Sequence, residues 1–233
     1  KQWHFFSIDT RHFLALAQGV TVDSVVPKNP RESRIYEWNG EQFVLFQTLD
    51  GTWGYNWASK SFAGEHYLAY ADHLGGSRIL KWQGERFEAV QILPDPGGRA
   101  FVFFEDHGAL WMLYANLMGS TVLYEMNAER FIERQTLGGP GGRELCLIDG
   151  ALGKYLVRVC FITGTPRDPH TALTSQIYQW SGSSFELADE FPTAGGTDAT
   201  AFEANGVRYL VVSNSLTEEV RFRAESVLYR FNG

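Results

Sequence analysis

Cysteine is scarce: Cys146 and Cys160 are the two in 233 residues. They fit no zinc-ligand spacing. On two strands of a hairpin turning near Gly150 they would lie several residues out of register, so they read as buried free thiols. The fold therefore does not lean on disulfides, and cysteine usage leaves the compartment open. Basic charge is short as well, with 20 Lys and Arg against 27 Asp and Glu and a formal charge of −7. An acidic chain without basic clusters lacks the dense positive face that neutralises phosphates, which argues against a nucleic-acid partner. No apolar run approaches the roughly 20 residues of a membrane-spanning helix. There is no helical periodicity, so no Gly-rich loop leads from a strand into a helix to cradle phosphates. The six histidines, His4, His12, His66, His73, His107 and His170, form no pair with metal-ligand spacing. The sequence opens Lys1-Gln2-Trp3-His4 without an initiator Met or a signal-peptide pattern, and reads as a segment of a longer protein.

What is present is aromatic, apolar and repeated. Hydrophobic residues make up 44%, aromatics 15%, and there are 24 glycines, a balance that favours strands and turns. Phe13 to Gln18 recurs as Tyr67 to Asp72, Trp111 to Asn116, Tyr155 to Cys160 and Tyr209 to Asn214. A second phrase follows each copy: Ser33 to Trp38, Ser77 to Trp82, Thr121 to Met126, Ser175 to Trp180 and Ser226 to Phe231. A third occurs four times, as Phe43 to Gln47, Phe87 to Gln91, Phe131 to Gln135 and Phe185 to Asp189. A fourth precedes the first and opens on Gly54, Gly98, Gly142 and Gly196, with Lys1-Gln2-Trp3 in the same register. Turn residues separate the phrases, including Asn39-Gly40, Gln83-Gly84, Ser181-Gly182 and Asn205-Gly206.

Four short antiparallel strands in a repeat of this length form one propeller blade. The expected fold is all-β: a single β-propeller domain of four-stranded antiparallel blades over residues 1–233. Its five repeats fall at about 1–53, 54–97, 98–141, 142–195 and 196–233, and the last lacks its outer strand. Such an edge invites pairing with another chain, so the expectation is either a segment less stable than its parent domain or an edge-strand dimer. Three long insertions, 19 to 32 with Pro27 and Pro30, 161 to 174 with Pro166, Asp168 and His170, and 216 to 223, are expected on one rim, where binding surfaces sit.

The phrases Trp3-His4-Phe5-Phe6-Ser7-Ile8, Phe13-Leu14-Ala15-Leu16-Ala17, Ser33-Arg34-Ile35-Tyr36-Glu37-Trp38 and Phe43-Val44-Leu45-Phe46-Gln47 resemble the EAR repeat, also called EPTP or epilepsy-associated repeat. The resemblance extends along essentially the whole chain. This repeat occurs in the leucine-rich glioma-inactivated proteins, a thrombospondin-type laminin G domain protein and a very large adhesion G-protein-coupled receptor. The resemblance implies a β-propeller, an extracellular setting as a secreted protein or ectodomain, and recognition of a partner protein without catalysis. Family members typically carry six or seven repeats, against five here. Family repeats open Gly-Ala-x-Asp-Trp-Glu; here the aspartate position reads Gln2, Asn56, Ala100, Glu144 and Asp198. A Ca²⁺ or other cation held on a central axis by Asn56, Glu144 and Asp198 competes with a plain solvated channel.

Two candidate partner contacts break the repeat. Trp53 and Tyr55 stand at a turn entering a new blade. Arg99 and Arg143 share one position in adjacent repeats and would either pair with acids such as Glu144 or meet an acidic partner residue. Trp38, Trp82 and Trp180 read as packing between blades. The expected function is a non-catalytic extracellular protein–protein interaction module for adhesion or receptor–ligand recognition, without nucleic acid, membrane insertion or an obligatory cofactor. A carbohydrate-binding propeller is the alternative. A propeller glycoside hydrolase, with Glu144 and Asp198 as an acid pair, is less favoured, and Leu49-Asp50-Gly51-Thr52-Trp53 lacks the spacing of a sialidase Asp-box.

Overall fold

The structure, a computed structural model, describes residues 2–19, 21–23, 26–28, 31–150, 152–165 and 167–232. No helix occurs among the described residues, and none is long and apolar enough to cross a membrane. Five repeats become five sheets. The first is ordered β1-β2-β5-β6, from β1 (Gln2–Ile8), β2 (Arg11–Ala17), β5 (Glu32–Trp38) and β6 (Phe43–Asp50). The insertion between β2 and β5 carries its own ladder, β3 (Thr21–Asp23) against β4 (Val26–Lys28). The second sheet holds β7 (Gly54–Phe62), β8 (Glu65–Asp72), β9 (Ser77–Trp82) and β10 (Phe87–Leu93). The third holds β11 (Gly98–Asp106), β12 (Ala109–Asn116), β13 (Thr121–Asn127) and β14 (Arg130–Leu137).

The fourth sheet is ordered β15-β16-β19-β20, from β15 (Gly142–Gly150), β16 (Gly153–Cys160), β19 (Ala172–Trp180) and β20 (Phe185–Ala194), with the small ladder β17 (Thr163–Thr165) and β18 (Asp168–His170) in its insertion. The fifth has three strands, β21 (Gly196–Ala204), β22 (Val207–Asn214) and β23 (Val227–Phe231), as expected from the missing copy of the third phrase. The remaining insertion, 216 to 223, carries no strand. Pro30 and Pro166 lie outside the described residues.

Turn chemistry explains the tight hairpins. At Ala63-Gly64, His107-Gly108 and Asn205-Gly206 both residues have positive φ, the signature of the I′ turn that matches strand twist. The glycine that opens a repeat has a different cause. A Cβ on Gly54 would come 2.7 Å from both Ser33 Oγ and the Tyr70 hydroxyl, and one on Gly142 would meet Thr121 Oγ1 at 2.7 Å. Ser33 and Thr121 are copies of the recurring Ser/Thr that opens the second phrase. Ser33, Ser77, Thr121 and Ser175 are all fully buried. Ser33, Ser77 and Ser175 accept the amides of Gln18, Asp72 and Cys160, each at the end of the preceding apolar phrase, so a buried strand end finds its partner in the next strand.

The chain divides into two compact units, 1–112 with 125–132, and 113–124 with 133–233. The first unit centres on Phe6, Phe13, Ile35, Trp57, Leu68, Tyr70, Leu80 and Phe87. Alternation along β2 places Phe13, Ala15 and Ala17 inside, and Trp82 packs on Phe13, Phe46 and Phe87. Trp38 departs from its expected packing role and is 39% exposed beside Phe43. The second unit centres on Ile148, Tyr155, Val157, Val159, Phe191, Leu210 and Val212.

A glutamine clasp recurs in both units. Gln47 donates from Nε2 to the Phe87 carbonyl and accepts the Phe87 amide at Oε1, both at 2.9 Å. Gln91 does the same with Phe131 and Gln135 with Phe185. The last residue of the third phrase thus grips the first residue of the next copy. Both cysteines are free, with Cys146 opposite Val157 and Cys160 opposite Gly142, out of register with each other.

Candidate binding site

In the first unit, Trp53 and Tyr55 lie where β6 hands over to β7, and His73 follows β8. The backbone that carries them is fixed by Asp72, which is 1% exposed. Its carboxylate accepts the amides of Thr52 (2.6 Å), Trp53 (3.0 Å), Leu74 (3.0 Å) and Gly75 (2.8 Å). The His73 amide donates to the Trp53 carbonyl at 2.9 Å, and the His73 carbonyl accepts from Gly97 at 2.7 Å. Hydrogen bonds to an ionised acceptor are the strong ones, so one carboxylate holds both loops in place.

On this frame the rings cluster. Trp53 and Tyr55 stack with centroids 6.1 Å apart, and His73 meets both edge-on at 5.5 and 5.7 Å. The Arg99 guanidinium lies over the Tyr55 ring at 3.7 Å and is itself 5% exposed. Burial, reinforced by Arg99 and opposed by Asp72, lowers His73 to about 4. The imidazole is therefore neutral at physiological pH. The half-buried rings of Trp53, Tyr55 and His73 make an uncharged aromatic surface with a cation beneath it, an arrangement favourable to the π faces. The sequence reading picked out Trp53, Tyr55 and Arg99, and the structure joins them. Arg99 is buried under the rings, so its charge acts through the stack and not by direct contact. Sequence reasoning missed His73 and Asp72. The available signal was Asp72 itself, a carboxylate closing an apolar phrase.

In the second unit, Arg143 is half-buried over the Phe161 ring at 4.4 Å and donates to the Thr197 carbonyl at 3.3 Å. Asp168 and His170 stand exposed on β18, 3.9 Å apart. The proposed cation donors have backbone partners. Asn56 is buried and its Oδ1 accepts the Phe101 amide at 2.9 Å, much as Gln2 accepts that of Trp57 at 2.6 Å. Glu144 and Asp198 accept the amides of their own successors, Leu145 and Ala199. Burial, with Asp198 contributing, pushes Glu144 up to about 7. Among the described residues no group of three or more His, Cys, Asp or Glu is placed to hold a metal.

Solved structures share the fold. A periplasmic gluconolactonase from Pseudomonas aeruginosa matches over 88% of this chain and 60% of its own, with 16% identity and a TM-score of 0.58. An α-L-arabinanase from Cellvibrio cellulosa matches over 99% and 90%, with 14% identity and a TM-score of 0.50. Both are β-propellers, and the likeness carries the fold alone. No curated protein matches the chain. Residues 42–83 match the EPTP domain, a stretch that contains Trp53, Tyr55, Asp72 and His73, and the chain has the β-propeller fold that the EAR/EPTP resemblance implied.

Proposed function

We propose that the chain is a non-catalytic, extracellular protein–protein interaction module that docks its partner on the Trp53–Tyr55–His73 surface. The observation that carries this reading is the aromatic cluster over a buried arginine, fixed by the four amides that Asp72 holds. Rigid, partly exposed aromatics are typical anchors of protein interfaces. The cluster falls inside the EPTP match, and the family is one of partner recognition outside the cell. A sugar-binding propeller would repeat its pocket from blade to blade. Here the corresponding position of the fourth repeat holds Arg143 over Phe161, without the Trp–Tyr pair, which favours a single asymmetric protein partner.

The test is a binding screen of the multimerised chain against arrayed single cell-surface ectodomains, run beside a glycan array. Saturable binding to an ectodomain, lost in Trp53→Ala and Tyr55→Ala, is the expected result. Binding to glycans alone, or ectodomain binding untouched by both substitutions, overturns the reading.

A further inference from the structure

The main chain around the Trp53–Tyr55–His73 cluster is already engaged. The amides of Thr52, Trp53, Leu74 and Gly75 donate to the Asp72 carboxylate. The Gly54 amide donates to the Gln18 carbonyl, and the His73 amide to the Trp53 carbonyl. The His73 carbonyl accepts the Gly97 amide. A partner strand therefore finds no open edge on these two loops, which sets aside strand addition there. A cation is a poor ligand too. The Arg99 guanidinium lies 3.7 Å from the Tyr55 ring centroid, so a second cation on the open face would meet a like charge across the ring. The nearby Asp72 carboxylate is buried and occupied by amides, so it offers that cation nothing. What remains for a ligand is ring surface and one donor. Trp53 is half-buried, and among the described residues its indole N–H makes no hydrogen bond and is not sealed from solvent. Leu74, next to His73, is 49% exposed and continues the apolar surface.

We propose that the partner docks a proline-rich segment in the polyproline II conformation, packing a prolyl ring on Trp53 and accepting the Trp53 indole N–H at a main-chain carbonyl. This names the partner chemistry of the docking surface proposed above and rests on that reading. The match is one of hydrogen-bonding sense. A run of prolines has carbonyl acceptors and no amide donors, and the site's open group is a donor. The match is also one of charge, since neither the segment nor the ring surface carries any. Polyproline II is extended before binding, so little ordering entropy opposes its docking. The loops that receive it are fixed in turn by Asp72, so neither side has to be reshaped. Leu74 supplies a second apolar contact beside the rings. Proline-rich segments dock on aromatic surfaces by this combination of ring packing and a donated hydrogen bond.

The test titrates octaproline calorimetrically into the intact chain, with the Trp53 indole N–H resonance followed by NMR and assigned from its loss in Trp53→Phe. Saturable binding that shifts this resonance is expected, and none with a Gly-Ser peptide of equal length. Trp53→Ala should weaken octaproline binding by about tenfold or more. Trp53→Phe keeps a ring but removes the donor, and should weaken it about threefold, the worth of one hydrogen bond. This conservative variant keeps the comparison decisive even if Trp53→Ala does not fold. Octaproline should also displace the ectodomain recovered from the screen. Absence of saturable octaproline binding overturns the proposal, as does equal binding of the Gly-Ser peptide. Binding that leaves the Trp53 resonance unmoved and is indifferent to Trp53→Phe overturns it too. If the ectodomain is lost in Trp53→Ala while octaproline does not bind, the docking surface stands and the proline-rich ligand falls.

Discussion

Arg99 and Arg143 occupy one position of the repeat and do different things. Arg99 is buried beneath Tyr55 and backs a cluster with Trp53 and His73. Arg143 is half-buried over a lone Phe161 and spends a donor on the Thr197 carbonyl. The repeat therefore sets where a side chain starts, and the residues around it decide what surface results. Asp72 makes the difference. Its counterpart in the fourth repeat is Cys160, buried and in contact with Arg158, which cannot gather four amides. Where a carboxylate ends the apolar phrase, the following turn is pinned and can display aromatics.

That contrast is easiest to break at Asp72. Asp72→Ala removes the acceptor for four amides and is expected to cost about 3–5 kcal/mol, since each buried donor left alone carries its own desolvation penalty. Chemical denaturation measures it, and a loss under 1 kcal/mol contradicts the pinning. Asn116→Ala, which removes an acceptor for two amides, should cost visibly less. Next in size is Arg99→Ala, at about 2 kcal/mol from lost stacking and packing, whereas Arg143→Ala should cost under about 1 kcal/mol. Equal losses would erase the distinction between the two arginines.

Two smaller effects are electrostatic. Glu144 has a folded pKa raised to about 7 by burial. The unfolded chain gives up that proton more readily, so stability falls as pH rises from about 4.5 through 7. Glu144→Gln should remove this slope, a gain of ~1 kcal/mol at pH 8 after allowing for solvent access, and little at pH 4. His73 works in the opposite sense. With its folded pKa lowered to about 4, the unfolded chain takes up a proton first, and the neutral ring's contribution is lost as pH falls from about 6.5 toward 4. Arg99→Met should move His73 upward in an NMR titration, because the guanidinium is part of what holds it down. Arg143→Met should leave His73 where it is.

Much of the fold was legible in the sequence because propeller blades repeat their physics. The third phrase ends in glutamine because that side chain clasps the phenylalanine of the next copy. The second opens on Ser or Thr because a buried strand-end amide needs a hydroxyl. Glycine opens the second and fourth repeats because hydroxyls crowd the place a Cβ would take. The candidate site was only partly legible. Trp53 and Tyr55 stood out as breaks in the pattern, and Arg99 as a recurring cation. His73 looked like any lone histidine, and the work of Asp72 depends on loop amides whose convergence no linear spacing reveals. Trp38 shares its repeat position with Trp82 and was expected to pack as Trp82 does, but by position alone it could not be told apart from a tryptophan that stays exposed.

The account rests on the Trp53–Tyr55 pair being the face that meets a partner. The most direct measurement is the affinity of the ectodomain recovered from the screen for Trp53→Ala and, as the control from the second unit, for Phe161→Ala. A loss of about thirtyfold or more in the first and less than threefold in the second is the predicted result; equal affinities for the two variants would contradict it.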